Sequence, residues 1–181
     1  MPEHRSHPLS EAHVEHKAHA PHRVTCVVIT CSDTRDSHTD TSGQLMMRLL
    51  KEQGHEVAGY HVVKDEPSEI RRLIEQAAQT DSVQAILVNG GTGISKRDST
   101  FEAVDGMLEK RLVGFGEIFR YLTYQDIGSP AIMTRATAGV FRGRVVFSTP
   151  GSEGAVRLAM ESLILPELGH IVQQLRNKTG H

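Results

Sequence analysis

From residue 24 onward, short runs of β-branched and apolar residues alternate with stretches whose apolar positions recur at helical spacing. That alternation constrains the fold more than any other feature of the chain. Residues 24–30 are rich in Val, Ile and Thr, the composition of a strand buried on both faces. A helix follows from Thr41, where Gln44 three residues on completes a capping-box pattern; Leu45, Leu49 and Leu50 give it one apolar face, and Gly54 ends it. Residues 57–63 read as a second strand. Pro67 then opens a helix carrying Ile70, Leu73, Ile74, Ala77 and Ala78 on one face. A third strand, residues 83–88, enters a glycine-rich loop at 89–98, and Ser99 with Glu102 marks another helix start. Strand–helix–strand crossovers of this length imply parallel pairing with helices on both faces of the sheet.

The second half is less regular. A loop around Gly114 and Gly116 leads to a helix at 117–124, and residues 131–138 are expected to hold a short helix. Residues 140–141 and 144–147 form a strand pair turning at Arg142-Gly143. A helix at 153–163 follows, and Pro166 opens or kinks a last one bearing Leu168, Ile171, Val172 and Leu175.

Residues 1–22 stand apart. They hold His4, His7, His13, His16, His19 and His22 and almost nothing that could form a core face. The reading is a solvated, disordered arm, with a weak metal-binding tract as the alternative; residues 23–181 form one domain. At 181 residues the chain is too short for two comfortable domains. A net charge of -2 and no tryptophan argue against a nucleic-acid binder, so any bound anion must be gripped by a few placed groups. Cys26 and Cys31 lack the spacing of a zinc site and suit a reducing compartment. With neither an apolar stretch of membrane-spanning length nor a signal peptide, the expectation is a cytoplasmic protein that does not enter membranes.

Three loops carry candidate chemistry, each following an expected strand, so they should meet at the carboxyl edge of the sheet, where such folds bind ligands. In Asn89-Gly90-Gly91-Thr92-Gly93 the glycines let phosphate oxygens approach backbone amides. This is neither a P-loop nor a dinucleotide fingerprint, since Lys96 stands where the third glycine of the latter belongs. Ser95, Lys96, Arg97 and Asp98 add a hydroxyl, two cations and a carboxylate, which suit a phosphate–Mg²⁺ site; solvated charge and simple helix capping remain the plain alternatives. The loop from Ser32 and Asp33 to Asp40 is dense in hydroxyls and acids, and Asp40 is either a helix cap or a carboxylate holding Mg²⁺ together with Asp98. Pro150-Gly151-Ser152 is a further break before a helix.

The ordered set Thr30-Cys31-Ser32-Asp33-Thr34-Arg35, Asp40-Thr41-Ser42-Gly43, Gly90-Gly91-Thr92-Gly93, Arg97-Asp98-Ser99-Thr100, Gly114-Phe115-Gly116-Glu117 and Thr149-Pro150-Gly151-Ser152 resembles the MoaB/Mog family of molybdenum-cofactor biosynthesis proteins. The G domain of gephyrin is related to the same family. The likeness spans about residues 23 to 176, and the 93–98, 115–120 and 165–170 stretches look like the B branch rather than the Mog enzymes. The resemblance implies a three-layer α/β/α fold with a mostly parallel central sheet, assembled as a homotrimer or homohexamer. It further implies Mg-ATP-dependent adenylylation of molybdopterin, or, as the alternative, a non-catalytic molybdopterin-binding or scaffold protein working beside other proteins of the pathway. Carried over by position, Asp40 and Asp98 match the acids assigned to catalysis and to Mg²⁺. Gly90, Gly91, Thr92, Gly93, Pro150, Gly151 and Ser152 match binding segments, Ser32 and Asp33 stand in the first motif, and Glu117 matches the acid after the Gly-Phe-Gly motif.

Overall fold

The computed structural model describes residues 21–176; of the His-rich segment, residues 1–20 lie outside the described residues. The elements are β1 (Thr25–Cys31), α1 (Thr41–Glu52), β2 (Glu56–Val63), α2 (Pro67–Gln79), β3 (Ala85–Asn89) and α3 (Thr100–Asp105). They continue with β4 (Lys110–Arg111), α4 (Val113–Ile127), a 3₁₀ turn (Ser129–Met133), β5 (Thr137–Phe141) and β6 (Arg144–Thr149). The described chain ends in α5 (Glu153–Ala159), a π-helical stretch (Met160–Ile164) and α6 (Leu165–Arg176).

The sheet runs β2-β1-β3-β6-β5-β4. The first four strands are parallel, and β5 and β4 add on antiparallel. Alternation along β1 builds the layers: Cys26 and Val28 face a core shared with α1, α4, α5 and α6, while Val27, Ile29 and Cys31 face one shared with α2 and α3. Two apolar sets on successive residues require helices on both sides, so the three-layer α/β/α arrangement follows from the strand period itself.

Packing rather than capping holds α1. It buries Leu45, Met46, Leu49 and Leu50, each worth about 1.5–3 kcal/mol. The cap contributes about 1 kcal/mol. That cap is Asp40, whose carboxylate accepts the Gly43 N–H; Gln44 instead donates to the Ser37 carbonyl, so the expected Thr41–Gln44 box does not form. Likewise Ser99 makes no side-chain cap on α3, because its hydroxyl donates to Asp65.

The loop expected around two glycines is absent. Gly114 and Gly116 lie inside the first turn of α4 rather than in a loop. A Cβ on Gly116 would stand 2.7 Å from the Ala136 carbonyl, so that glycine serves close packing, not chain reversal. Pro166 stands second in α6, as expected of a proline that opens a helix, but the chain does not break there: it stays helical from Glu153 to Arg176, with the π-helical stretch just before the proline. A wider turn absorbs the missing N–H and the ring's demand for space. Residues 131–138 divide into the end of the 3₁₀ turn and the start of β5. The hairpin at Arg142-Gly143 forms as expected, with Phe141 paired to Arg144 and positive φ at both turn residues. No helix among the described residues is long and apolar enough to cross a membrane.

Candidate functional site

Strands β1, β3 and β6 are neighbours and parallel, so the loops leaving their carboxyl ends lie side by side. Their contact is close. Gly90, at φ +101°, donates its N–H to the Thr149 carbonyl at 3.0 Å. A Cβ there would fall 2.1 Å from the Cys31 carbonyl oxygen, and one on Gly151 would fall 2.9 Å from Gly90 Cα. Only glycine satisfies both approaches. Arg35 and Ser42 tie the first loop to the third, donating to the Gly151 carbonyl at 2.9 and 2.7 Å. Asn89, fully buried beneath them, donates to Thr30 Oγ1 at 2.9 Å.

The second and third loops, with Pro130, Met133 and Thr134 at the 3₁₀ turn, line a cleft of about 330 Å³ through Gly91, Thr92, Gly93, Asp98, Pro150 and Gly151. Arg135 lines it too, donating from Nε to the Thr92 carbonyl and from Nη2 to the Gly93 carbonyl, with an ion pair to Glu102 and its guanidinium 4.9 Å over the Phe101 ring. The Arg135 bond holds the Glu102 carboxyl below its ordinary range. With those carbonyls engaged, the amide N–H groups of Gly91, Thr92, Gly93 and Gly151 remain without a partner among the described residues. A concave wall that keeps its donors and occupies its acceptors is suited to an anion.

Asp98 sits at the rim, one oxygen accepting from Ser95 N and Oγ at 3.2 and 2.5 Å. Its other oxygen has no protein donor among the described residues. Asp40 is placed differently. It is fully buried and absent from the cleft lining; Oδ1 accepts the Gly43 N–H at 3.0 Å and Oδ2 the Tyr60 hydroxyl at 2.7 Å. Asp40 thus caps α1, and the cleft lining that includes Asp98 does not include it. Among the described residues no group of three or more His, Cys, Asp or Glu side chains could hold a metal ion.

The remaining expected residues divide. Ser32 accepts the N–H groups of Thr34 and Arg35, closing a local turn. Asp33 is exposed and pairs with Arg97, which also pairs with Glu66; the guanidinium holds the Asp33 carboxyl down at about 2. Ser152 caps α5 by accepting the Ala155 N–H at 3.2 Å. Glu117 is exposed on α4 and outside the cleft lining.

Residues 27–170 match the model of a family described as "Probable molybdopterin binding domain". The molybdenum cofactor biosynthesis protein B of Bacillus subtilis is 55% identical over 163 residues, 90% of this chain and 96% of that protein. The chain belongs to this family. A crystal structure of a molybdenum cofactor biosynthesis protein B superposes with a TM-score of 0.85 at 53% identity, covering 87% of this chain and 99% of that one. The Pyrococcus furiosus tungsten cofactor synthesizing protein MoaB superposes with a TM-score of 0.78 at 36% identity, again covering 87% and 99%.

Reading the family motifs in the sequence misses two residues: Arg135, which lines the cleft, and Asp65, which supports the glycine loop from behind. Asp65 is 5% exposed and accepts from Ser99 N, Ser99 Oγ and Thr100 Oγ1, all on Oδ1. Its Oδ2 lies against Gly91, where a Cβ would approach to 2.0 Å. Standing between a strand end and Pro67, it looks in sequence like one more helix-start acid. Arg135 falls in the stretch expected to be helical, with no motif around it. Only the signal of a lone cation beside a strand was available for it.

Proposed function

We propose that this protein acts in molybdenum cofactor biosynthesis by adenylylating molybdopterin with Mg-ATP. Family membership supports the pathway, and the unpartnered amides of the glycine loop, facing a wall whose carbonyls Arg135 occupies, support the chemistry. In this reading the Gly91–Gly93 and Gly151 amides bind phosphate oxygens. An oxygen of the molybdopterin phosphate bonds to the α-phosphorus of ATP, the bond from that phosphorus to the bridging oxygen breaks, and pyrophosphate leaves. No protein nucleophile is needed, since catalysis is positioning and charge neutralisation. The Mg²⁺ of the substrate neutralises phosphate charge, and the unengaged oxygen of Asp98 fits it, because Mg²⁺ commonly takes one or two carboxylates plus phosphates and water. Asp40 already accepts from Gly43 and Tyr60 and does not line the cleft beside Asp98, so this reading gives it a positioning part. Its contribution is to fix the start of α1, from which Ser42 holds Gly151. Asp65 positions the glycine loop through Ser99 and Thr100.

The test is incubation with molybdopterin, ATP and Mg²⁺, reading adenylylated pterin by mass spectrometry, with Asp98→Asn alongside. The expected outcome is product from the wild type and a loss of two or more orders of magnitude in the variant. Pterin bound without AMP transfer would instead assign the chain a non-catalytic binding role.

The reading extends to assembly. On α4 and the 3₁₀ turn, Val113, Ile118, Tyr121, Tyr124, Ile127 and Ile132 are exposed, Ile132 by 83%. A contiguous apolar surface of this kind marks an interface, and a homotrimer or homohexamer would bury it. Light scattering on the purified chain tests this: a monomer at micromolar concentration contradicts it.

A further inference from the structure

At the amino ends of the same parallel strands, the pole opposite the cleft, lies a cavity of about 680 Å³. That volume lies within the range of small-molecule sites. Its walls come from the chain leading into β1, the turn before β3, the β5–β6 hairpin and the end of α6. Among the described residues Arg23, Arg142, Arg144 and Arg176 line it with Asp81, and the Glu56 and Glu109 carboxylates stand beside Arg23 and Arg142. In a chain of net charge -2 this is a local concentration of positive charge. Arg23 is engaged by Glu56 at 2.9 Å. The Arg142 N–H donates to the Glu109 carboxylate at 3.0 Å, but the guanidinium groups of Arg142 and Arg144 have no carboxylate partner among the described residues: that of Arg142 lies over the Phe141 ring, and that of Arg144 donates to the Arg142 carbonyl at 3.4 Å.

Gln84 accepts the Thr25 N–H on Oε1 at 3.0 Å, which fixes its amide at the cavity edge. Its Nε2 and the Arg144 Nε are buried and without a partner among the described residues, a cost that a small shift of either side chain towards an acceptor in the cavity would relieve. Arg142 has φ +47°, an uncommon conformation for a side chain of that size, which sets it beside Arg144 across the tight turn. Val172 and Leu175 supply an apolar wall.

We propose that this cavity is a second anion site, taking the polyphosphate of a phosphorylated small molecule on Arg142 and Arg144 with Gln84 at its edge. It is independent of the catalytic reading and separated from the cleft by the length of the sheet. Arginine is the side chain for the role, because its planar fork meets two phosphate oxygens at once.

The experiment is an amide-resolved NMR titration of the full chain with pyrophosphate, repeated with ADP. Saturable shifts at Gln84, Gly143 and Arg144 are expected, alongside any at Gly91 and Gly93. Equal affinity for the two probes assigns the site to the polyphosphate alone, and tighter ADP binding adds the apolar wall. Arg142→Asn with Arg144→Gln should weaken the shifts at this pole at least ten-fold while leaving those at the cleft in place. Asn is chosen because it tolerates positive φ. Shifts confined to the cleft in the wild type, a result that needs no variant to fold, would overturn the proposal, as would undiminished binding in the double variant.

Discussion

Replacing Gly90 with alanine tests whether the three loops are locked together by shape. Two costs add at this position. The backbone stands at φ +101°, where a non-glycine residue stores about 1–3 kcal/mol of strain. The new Cβ would also lie 2.1 Å from a backbone carbonyl oxygen, where real Cβ atoms essentially never come within 3.0 Å. Relieving such an overlap typically costs a further 1–3 kcal/mol, roughly 2–6 kcal/mol for the two effects together. For a domain of this size each kcal/mol moves the melting temperature by roughly 2–4 °C, so the fall should be roughly 4–24 °C. Two controls separate the effects. Gly143→Ala has positive φ but nothing within 4 Å, so strain alone should cost about 1–2 kcal/mol. Gly154→Ala, with open space and ordinary φ in a helical turn, should gain about 0.5–1 kcal/mol. Thermal and urea unfolding of the four proteins read this directly. If Gly90→Ala loses no more than Gly143→Ala, the close approach of Cys31 is not rigid and the reasoning fails.

Tyr60→Phe removes the hydroxyl that bonds the buried Asp40 carboxylate and should cost about 1.5–3 kcal/mol in urea unfolding, as hydrogen bonds to charged groups do. In the wild type, burial and then Asp40 push the Tyr60 phenol up, so ultraviolet titration should leave it protonated well above the ordinary tyrosine value of about 10. Arg97→Gln should raise the Asp33 carboxyl from about 2 towards the ordinary value of about 3.9 in a carbon-13 titration. The sign follows from the depressed folded value: this pair's stabilisation is present above the ordinary carboxylate range and is lost as pH falls through 2, so the variant should be less sensitive to acid in that window. Cys26 and Cys31 are buried and pushed up to about 12, so native protein at pH 8 should resist iodoacetamide, and labelling should follow unfolding.

The sheet and its helices are legible because their signals are local. Alternate faces of β1, Pro67 at a first turn and Gly54 past a helix end each act within a few residues. The hairpin is legible for the same reason. What escapes depends on distant partners. Gly116 reads as a breaker until Ala136 is seen against it, and Ser99 reads as a cap until Asp65 claims its hydroxyl. In the site, the glycine loop and its neighbours announce themselves by composition. Asp40 could not be resolved between cap and metal ligand, because Tyr60, which occupies its second oxygen, lies one strand further on. Asp65 and Arg135 stand in stretches without motif character, and their importance comes from what they touch.

Gly90 wedged between Cys31 and Gly151 has a mechanical consequence. None of the three turns can swing outward without dragging the others, and each is rooted in a central strand of the sheet. On the proposed function, an arriving polyphosphate would meet a socket already in shape, and little affinity would be lost to ordering the chain around it. Selectivity would then be a matter of fixed dimensions, with a guest too large or wrongly charged refused at the entrance.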